Sequence, residues 1–227
     1  MSETFCESKR QQTSLLAPVE RRILGWLAQR TPTWINSDHL TILGFAAFAA
    51  AGVGYALSTT TPAWLHFVNL CLFLNWLGDS LDGTLARYRN HLRPRYGYYV
   101  DHVTDTAGSL ILVLGLGMSP YMSGRVALAV LIAYFMLSIN SYLATHALGT
   151  FRISFWKFSP TELRLLLAVG NLVLLFHPMA TVAGSRYLLY DVGGVVGIAC
   201  MVATFVASAI TNTVRLYRLE PPQGRRL

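Results

Sequence analysis

Four aspartates stand close together in an otherwise apolar part of the chain: Asp79, Asp82, Asp101 and Asp105, out of eleven acidic residues in all. If the segments around them are helices, Asp79 and Asp82 share one helix face, and Asp101 and Asp105 share a face of the next helix. Four carboxylates brought together repel one another unless cations neutralise them. Oxygen ligands favour Mg²⁺, Mn²⁺ or Ca²⁺ over zinc. The spacing therefore predicts a divalent metal site.

Two glycines accompany the aspartates. Gly83 follows Asp82 directly, and Gly97 precedes Asp101 by about one helical turn. A glycine removes a side chain where a bulky ligand could approach the backbone closely. The aspartates and glycines together resemble the signature of the CDP-alcohol phosphotransferase family. In this chain the signature reads Asp79-x-x-Asp82-Gly83-x-x-Ala86-Arg87, nine further residues, and Gly97-x-x-x-Asp101-x-x-x-Asp105.

The resemblance implies an integral membrane enzyme of phospholipid biosynthesis. Such an enzyme transfers a substituted phosphate from a CDP-alcohol, such as CDP-diacylglycerol, to an acceptor alcohol and releases CMP. It further implies a two-ion site for Mg²⁺ or Mn²⁺, with Asp105 also the general base for the acceptor hydroxyl. A homodimer is a further implication. The metal ligands would be Asp79, Asp82, Asp101 and Asp105, and the donor would bind near Gly83, Ala86, Arg87 and Gly97.

Two other polar segments are candidates for the substrate site. Before the fifth apolar segment, Arg152 and Lys157 could bind the acceptor or its phosphate, together with Arg164; a solvated loop that leads into a capped helix explains the same residues equally well. Near the first apolar segment, Asn36 and Thr41 resemble a short polar element found in many family members. There, Ser37 or Asp38 as a plain N-cap is an equally good explanation.

Composition places the chain in a bilayer. Hydrophobic residues make up 53% of it and charged residues only 13%, with a mean hydropathy of +0.44, whereas globular chains carry about 25% charged residues. The net charge of +7 could indicate nucleic-acid binding, but the basic residues flank apolar segments. We therefore expect membrane lipids and phosphate-bearing substrates as partners, and no nucleic acid.

The apolar pattern predicts an all-α integral membrane protein with six transmembrane helices. The apolar segments lie at about 39–58, 63–86, 97–118, 124–147, 162–183 and 187–214. An interfacial amphipathic helix is expected before them, from Leu15 to Arg30, with Ile23 and Trp26 on its apolar side and Glu20 on its polar side. The expected organisation is a cytoplasmic tail and interfacial helix at 1–35, the transmembrane domain at 36–217 and a cytoplasmic tail at 218–227.

The basic residues also predict the orientation. If successive segments alternate in direction, all but two of the 18 Lys and Arg residues fall on one side, and the exceptions are Arg125 and Arg186. Basic residues accumulate on the cytoplasmic side of membrane proteins. We therefore expect a multi-pass protein of the cell membrane with both termini and the aspartates facing the cytoplasm.

Two other functions use intramembrane acids. A Mg²⁺-dependent intramembrane prenyltransferase would need a second Asp-rich motif, but after Asp105 the remaining acids are the scattered Glu162, Asp191 and Glu220. A non-enzymatic cation transporter would be expected to carry acids near the bilayer midplane on several helices. The four aspartates instead cluster at one end of two predicted helices, which favours phosphotransfer.

Overall fold

The computed structural model describes residues 17–148 and 160–220, and over these residues the protein is mainly helical. One short antiparallel β-hairpin accompanies the helices. The elements in chain order are α1 Ala17–Arg30, α2 Ser37–Leu57, α3 Trp64–Tyr88, α4 Pro94–Gly117, α5 Gly124–Leu148, α6 Pro160–Leu174, β1 Met179–Val182, β2 Ser185–Leu188 and α7 Leu189–Leu219.

Among the residues described, three helices are long and apolar enough to cross a membrane: α2, α5 and α7. This agrees with the expectation of a helical membrane protein. Helices α3 and α4 have 25 and 24 residues, which is sufficient length, but they carry the four aspartates and two arginines. Composition alone therefore does not fix the number of crossings at six.

The predicted fifth apolar segment is wrong in its second half. Helix α6 ends at Leu174, and a β-hairpin occupies 179–188 in place of the end of a helix running to residue 183. Pro178 disfavours continued helix before it, and Ala183 and Gly184 form a two-residue turn with φ of 49° and 83°. Hydropathy misses this change because the first strand is as apolar as a membrane helix.

Helix α2 packs against both α3 and α4, and glycines set the closeness of these contacts. A Cβ added at Gly78 of α3 would lie 2.5 Å from the Leu40 carbonyl oxygen of α2. A Cβ added at Gly115 of α4 would lie 1.9 Å from the Gly52 carbonyl oxygen. Small residues permit such close backbone approach between membrane helices. Helix α2 thereby draws together the two helices that carry the aspartates.

We expect Gly115→Ala to destabilise the protein by about 3 kcal/mol, at the upper end of overpacking costs, because the added methyl group would overlap the Gly52 carbonyl of α2. Gly197→Ala on α7 is the control, since its Cβ meets nothing within 4 Å. Thermal unfolding in detergent should show a lower midpoint for Gly115→Ala alone. Equal midpoints for the two variants would contradict the close α2–α4 contact.

A buried polar cluster joins four helices at the end of the bundle far from the aspartates. The Asn171 side-chain oxygen accepts hydrogen bonds from the hydroxyls of Tyr55 (2.9 Å) and Tyr190 (2.7 Å), and its amide donates to Asn69 (2.8 Å). Hydrogen bonds of this kind hold helices together where lipid supplies no hydrophobic driving force. The cluster fixes the relative positions of α2, α3, α6 and α7.

Helix α1 runs from Ala17 to Arg30, within the segment where an interfacial helix is expected. It packs along α3 through Leu24 and Ala28, which are buried, while Ile23 and Trp26 remain exposed. Glu20, expected on the polar side of this helix, does not face solvent. Glu20 is buried, with 7% of its surface exposed, because this face of α1 lies against the bundle.

Candidate active site

A cleft open to solvent lies between α2, α3 and α4. Each helix contributes residues near one end, since short turns join the three. The aspartates give the cleft an acidic rim, and two phenylalanines of α2 make its wall partly apolar. The lining residues are Thr41, Gly44, Phe45, Phe48, Asn75, Asp79, Asp82, Asp101, Thr104 and Asp105.

Three of the aspartates converge. Asp79 of α3 and both Asp101 and Asp105 of α4 each offer one carboxylate oxygen, and these oxygens all lie within 4.8 Å of one another. Hard cations bind such sets of carboxylate oxygens, and zinc sites more often use nitrogen and sulfur. The donor set therefore fits a divalent ion such as Mg²⁺ or Mn²⁺.

Asp82 lines the same cleft but is held by neighbouring groups. Its Oδ2 accepts a hydrogen bond of 2.6 Å from the Thr41 hydroxyl, and its Oδ1 accepts one from the Gly83 backbone N–H. Thr41 lies in the second turn of α2, so a residue from a third helix fixes the Asp82 carboxylate. Each of the two carboxylate oxygens has a further lone pair, so Asp82 can still bind a ligand in the cleft that it lines.

The polar segment at the start of α2 has two separate functions. Asn36, and neither Ser37 nor Asp38, is the N-cap: its side chain accepts from the His39 backbone N–H at 3.1 Å, and His39 Nδ1 accepts from the Asn36 N–H at 3.3 Å. Such a reciprocal pair satisfies two backbone donors. This cap also fixes where α2 begins, and Thr41, five residues later, donates to Asp82.

Arg164 of α6 adds a positive charge to the acidic cleft. Its Nη2 lies 2.5 Å from Asp79 Oδ2, and only 8% of the residue is exposed. A buried arginine of this kind requires a carboxylate partner. In sequence Arg164 belongs to the polar connection before α6, whereas the structure brings its side chain to the aspartates.

The other predicted substrate residues lie around the cleft or outside the described residues. Gly97 is exposed and a Cβ added there would meet nothing within 4 Å, so the space above it is open. Ala86 is partly exposed, and Arg87 is exposed and donates to Thr84 at 3.3 Å. Arg152 and Lys157 lie outside the described residues.

Most of the chain matches the model of a known family. The family model described as CDP-alcohol phosphatidyltransferase matches residues 34–211, which is most of the chain. The chain belongs to this family. The matched range begins just before the Asn36 cap and contains every residue that lines the cleft, together with Arg164. Helix α1 lies outside it.

This family member aligns with only part of each of two relatives. It is 27% identical over 205 residues to cholinephosphotransferase 1 of Gallus gallus, an alignment that covers 82% of this chain and 58% of the relative. It is 33% identical over 116 residues to archaetidylinositol phosphate synthase of Methanothermobacter thermautotrophicus, an alignment that covers 49% of this chain and 54% of the relative. The chain thus spans only a little over half of each relative.

A solved structure shows that the fold of this family member is shared. Phosphatidylinositol phosphate synthase of Mycobacterium tuberculosis, determined with CDP-DAG bound, superimposes with a TM-score of 0.54 at 18% identity. The superposition covers 94% of this chain and 98% of the other. At that identity the likeness concerns the arrangement of helices, and the site residues rest on the motif and on the cleft itself.

Proposed function

We propose that this protein transfers a substituted phosphate group from a CDP-alcohol to an acceptor alcohol and releases CMP. The observation that carries the proposal is the convergence of Asp79, Asp101 and Asp105 within 4.8 Å in a member of the CDP-alcohol phosphatidyltransferase family. The names of its relatives, a cholinephosphotransferase and an archaetidylinositol phosphate synthase, support the same reaction class.

The aspartates would hold the metal ions, with Asp79, Asp82, Asp101 and Asp105 as ligands. Divalent cations bound there would screen the phosphate charges and stabilise the leaving oxygen. Asp105 would accept the proton of the acceptor hydroxyl, which is the task of a general base. Thr41 would orient the Asp82 carboxylate through its hydrogen bond. Arg164 would orient Asp79 by their ion pair.

The substrates would enter around the glycines of the motif. The open space above Gly97 leaves room for a nucleotide, and Gly83, Ala86 and Arg87 stand on the neighbouring helix. The donor could carry diacylglycerol, as in the CDP-DAG complex of the fold relative, or a polar alcohol. We propose Arg152 and Lys157 as further contacts for the acceptor or its phosphate.

The proposed function is tested by incubating the purified protein with CDP-choline, CDP-ethanolamine or CDP-diacylglycerol and a panel of alcohols. CMP and the lipid product are read by mass spectrometry. We expect metal-dependent CMP release with at least one pair of substrates, and its loss on addition of EDTA. Release that continues undiminished in EDTA would contradict the metal site. Ion flux into vesicles without CMP release would instead favour a transporter.

We further propose that α2 to α7 form six crossings of the cell membrane, with both termini and the cleft on the cytoplasmic side. The distribution of Lys and Arg supports this orientation. Helix α6 has 15 residues, about 22 Å, so the bilayer would thin around it relative to its usual core of about 30 Å.

Helix α1 would lie in the interface, with Ile23 and Trp26 towards lipid, and the domain would extend over 36–217. A homodimer is part of the same proposal.

The orientation gives a prediction for the turn between α3 and α4. His91 is exposed there, and unlike Asn90, whose φ is 56°, it does not occupy the left-handed region that disfavours most residues. In a variant without native cysteines, His91→Cys should react with a membrane-impermeant thiol reagent only in inverted vesicles. Thr60→Cys, in the exposed turn between α2 and α3, should react from outside in intact cells. The opposite labelling would reverse the topology.

A further inference from the structure

Glu20 of α1 is a buried carboxylate that contacts two other helices. Its Oε1 accepts hydrogen bonds from Trp76 Nε1 at 2.9 Å and Ser80 Oγ at 3.1 Å, both on α3. The same oxygen accepts from Thr161 Oγ1 at 2.9 Å, in the first turn of α6. Hydrogen bonds to a carboxylate are stronger than those between neutral groups. One side-chain oxygen thus joins α1, α3 and α6.

The residues that Glu20 holds are neighbours of the Arg164–Asp79 ion pair. Ser80 directly follows Asp79 on α3, and Thr161 precedes Arg164 by three residues, one turn of α6. The ion pair and the Glu20 contacts therefore connect the same turns of the same two helices. If Thr161 moved away from α3, the base of the Arg164 side chain would move with it.

Glu20 has no part in the family motif. The family match begins at residue 34, so Glu20 lies outside it, on the face of α1 that packs against the bundle. A buried carboxylate is costly unless hydrogen bonds compensate it, and Glu20 Oε2 is buried without a hydrogen-bond partner among the described residues. Apolar packing alone would join α1 to α3 at lower cost. A carboxylate at this position therefore calls for an explanation beyond stability.

We propose that Glu20 is a positioning residue for the phosphotransfer site: it fixes the first turn of α6 against α3, so that Arg164 meets Asp79. This inference rests on the proposed function for its effect on catalysis, and on the hydrogen bonds for its effect on α6. Glu20 contacts neither the aspartates nor the cleft, so it acts through Arg164. It also makes α1 a structural part of the active site.

Kinetics of single and double variants test the path through Arg164. We expect E20A to lower kcat for CMP release about tenfold, and E20Q to retain most activity because its amide oxygen can still accept from the same donors. In the R164Q background, E20A should lower kcat less than twofold further, since coupled residues are non-additive. Glu220→Gln, an exposed acid at the end of α7, is the matched control and should behave as wild type. Tenfold losses that multiply in the double variant would overturn the proposal.

Hydrogen exchange gives a second test that needs no activity. Backbone amides of residues 164–168 should exchange at least tenfold faster in E20A and in Thr161→Val, which removes the hydroxyl that donates to Glu20, but not in Glu220→Gln. Unchanged exchange in both variants would overturn the fixing of α6. If wild-type protein releases no CMP with any CDP-alcohol, the proposed function fails, and the exchange result still decides whether Glu20 holds α6.

Discussion

Replacing Asp101 by alanine is expected to lower kcat for CMP release by about three orders of magnitude. Asp101 offers one of the three carboxylate oxygens that lie within 4.8 Å of one another. Alanine removes one charged oxygen ligand of the set, and charge stabilisation at the transferring phosphate accounts for most catalysis in phosphoryl transfer. Asp79→Ala should cause a similar loss. Steady-state CMP release at saturating Mg²⁺ measures both.

The loss must be separated from a loss of folding. Asp38→Ala is a suitable control, because Asp38 lies on the same side of the bundle and forms a half-exposed ion pair with Arg93. Ion pairs of this kind contribute at most about 1 kcal/mol, so this variant should keep wild-type kcat. Thermal unfolding in detergent should give similar midpoints for Asp101→Ala and Asp38→Ala. Asp79→Ala should unfold at a lower temperature, because it leaves the buried Arg164 without its carboxylate partner. Activity of Asp101→Ala within tenfold of wild type would remove Asp101 from the metal site.

The convergence of the aspartates could be expected from sequence because their spacings match helical periodicity. Intervals of three and four residues place each pair on one helix face, and a short turn between the helices brings the two pairs to the same end. The positions within the cleft follow from packing that the spacing does not encode. Asp82 turns to Thr41, a residue 41 positions earlier in the chain, which no local pattern could indicate.

Other parts of the site depend on contacts between distant segments. The glycines that bring α2 against α3 and α4 look like ordinary small residues in apolar helices, and their role is visible only where a Cβ would meet a carbonyl of the neighbouring helix. The sequence pattern predicts Glu20 on the polar side of an amphipathic helix, because its partners on α3 and α6 are more than 50 residues away in the chain. Arg164 was recognised as polar but not as a partner of Asp79, 85 residues away.

The remaining prediction concerns the different roles of Asp82 and Asp105. Asp105 lies one helical turn after Asp101 along α4, and so further from the connection between α3 and α4. It is the residue proposed as general base. Asp105→Asn should lower kcat by about 10²- to 10⁴-fold, the contribution of general base catalysis, because an amide cannot accept the hydroxyl proton. If proton transfer is the main role of Asp105, metal and donor affinity should stay close to wild type, since Asp79, Asp82 and Asp101 remain as ligands.

Asp82→Asn is the matched comparison, because it makes the same chemical change in the same cleft. Here the affinity for Mn²⁺ should fall, since a neutral amide is a poorer ligand for a hard cation than a carboxylate. The asparagine can keep both contacts if its amide oxygen accepts from the Gly83 N–H and its NH2 donates to the Thr41 hydroxyl, which can itself donate to the Ser37 carbonyl. The loss of affinity then reports mainly the loss of charge. Titration with Mn²⁺ followed by electron paramagnetic resonance, and with a CDP-alcohol followed by calorimetry, separates the two variants. An equal loss of Mn²⁺ affinity in both would make Asp105 a metal ligand first and assign proton transfer to another group.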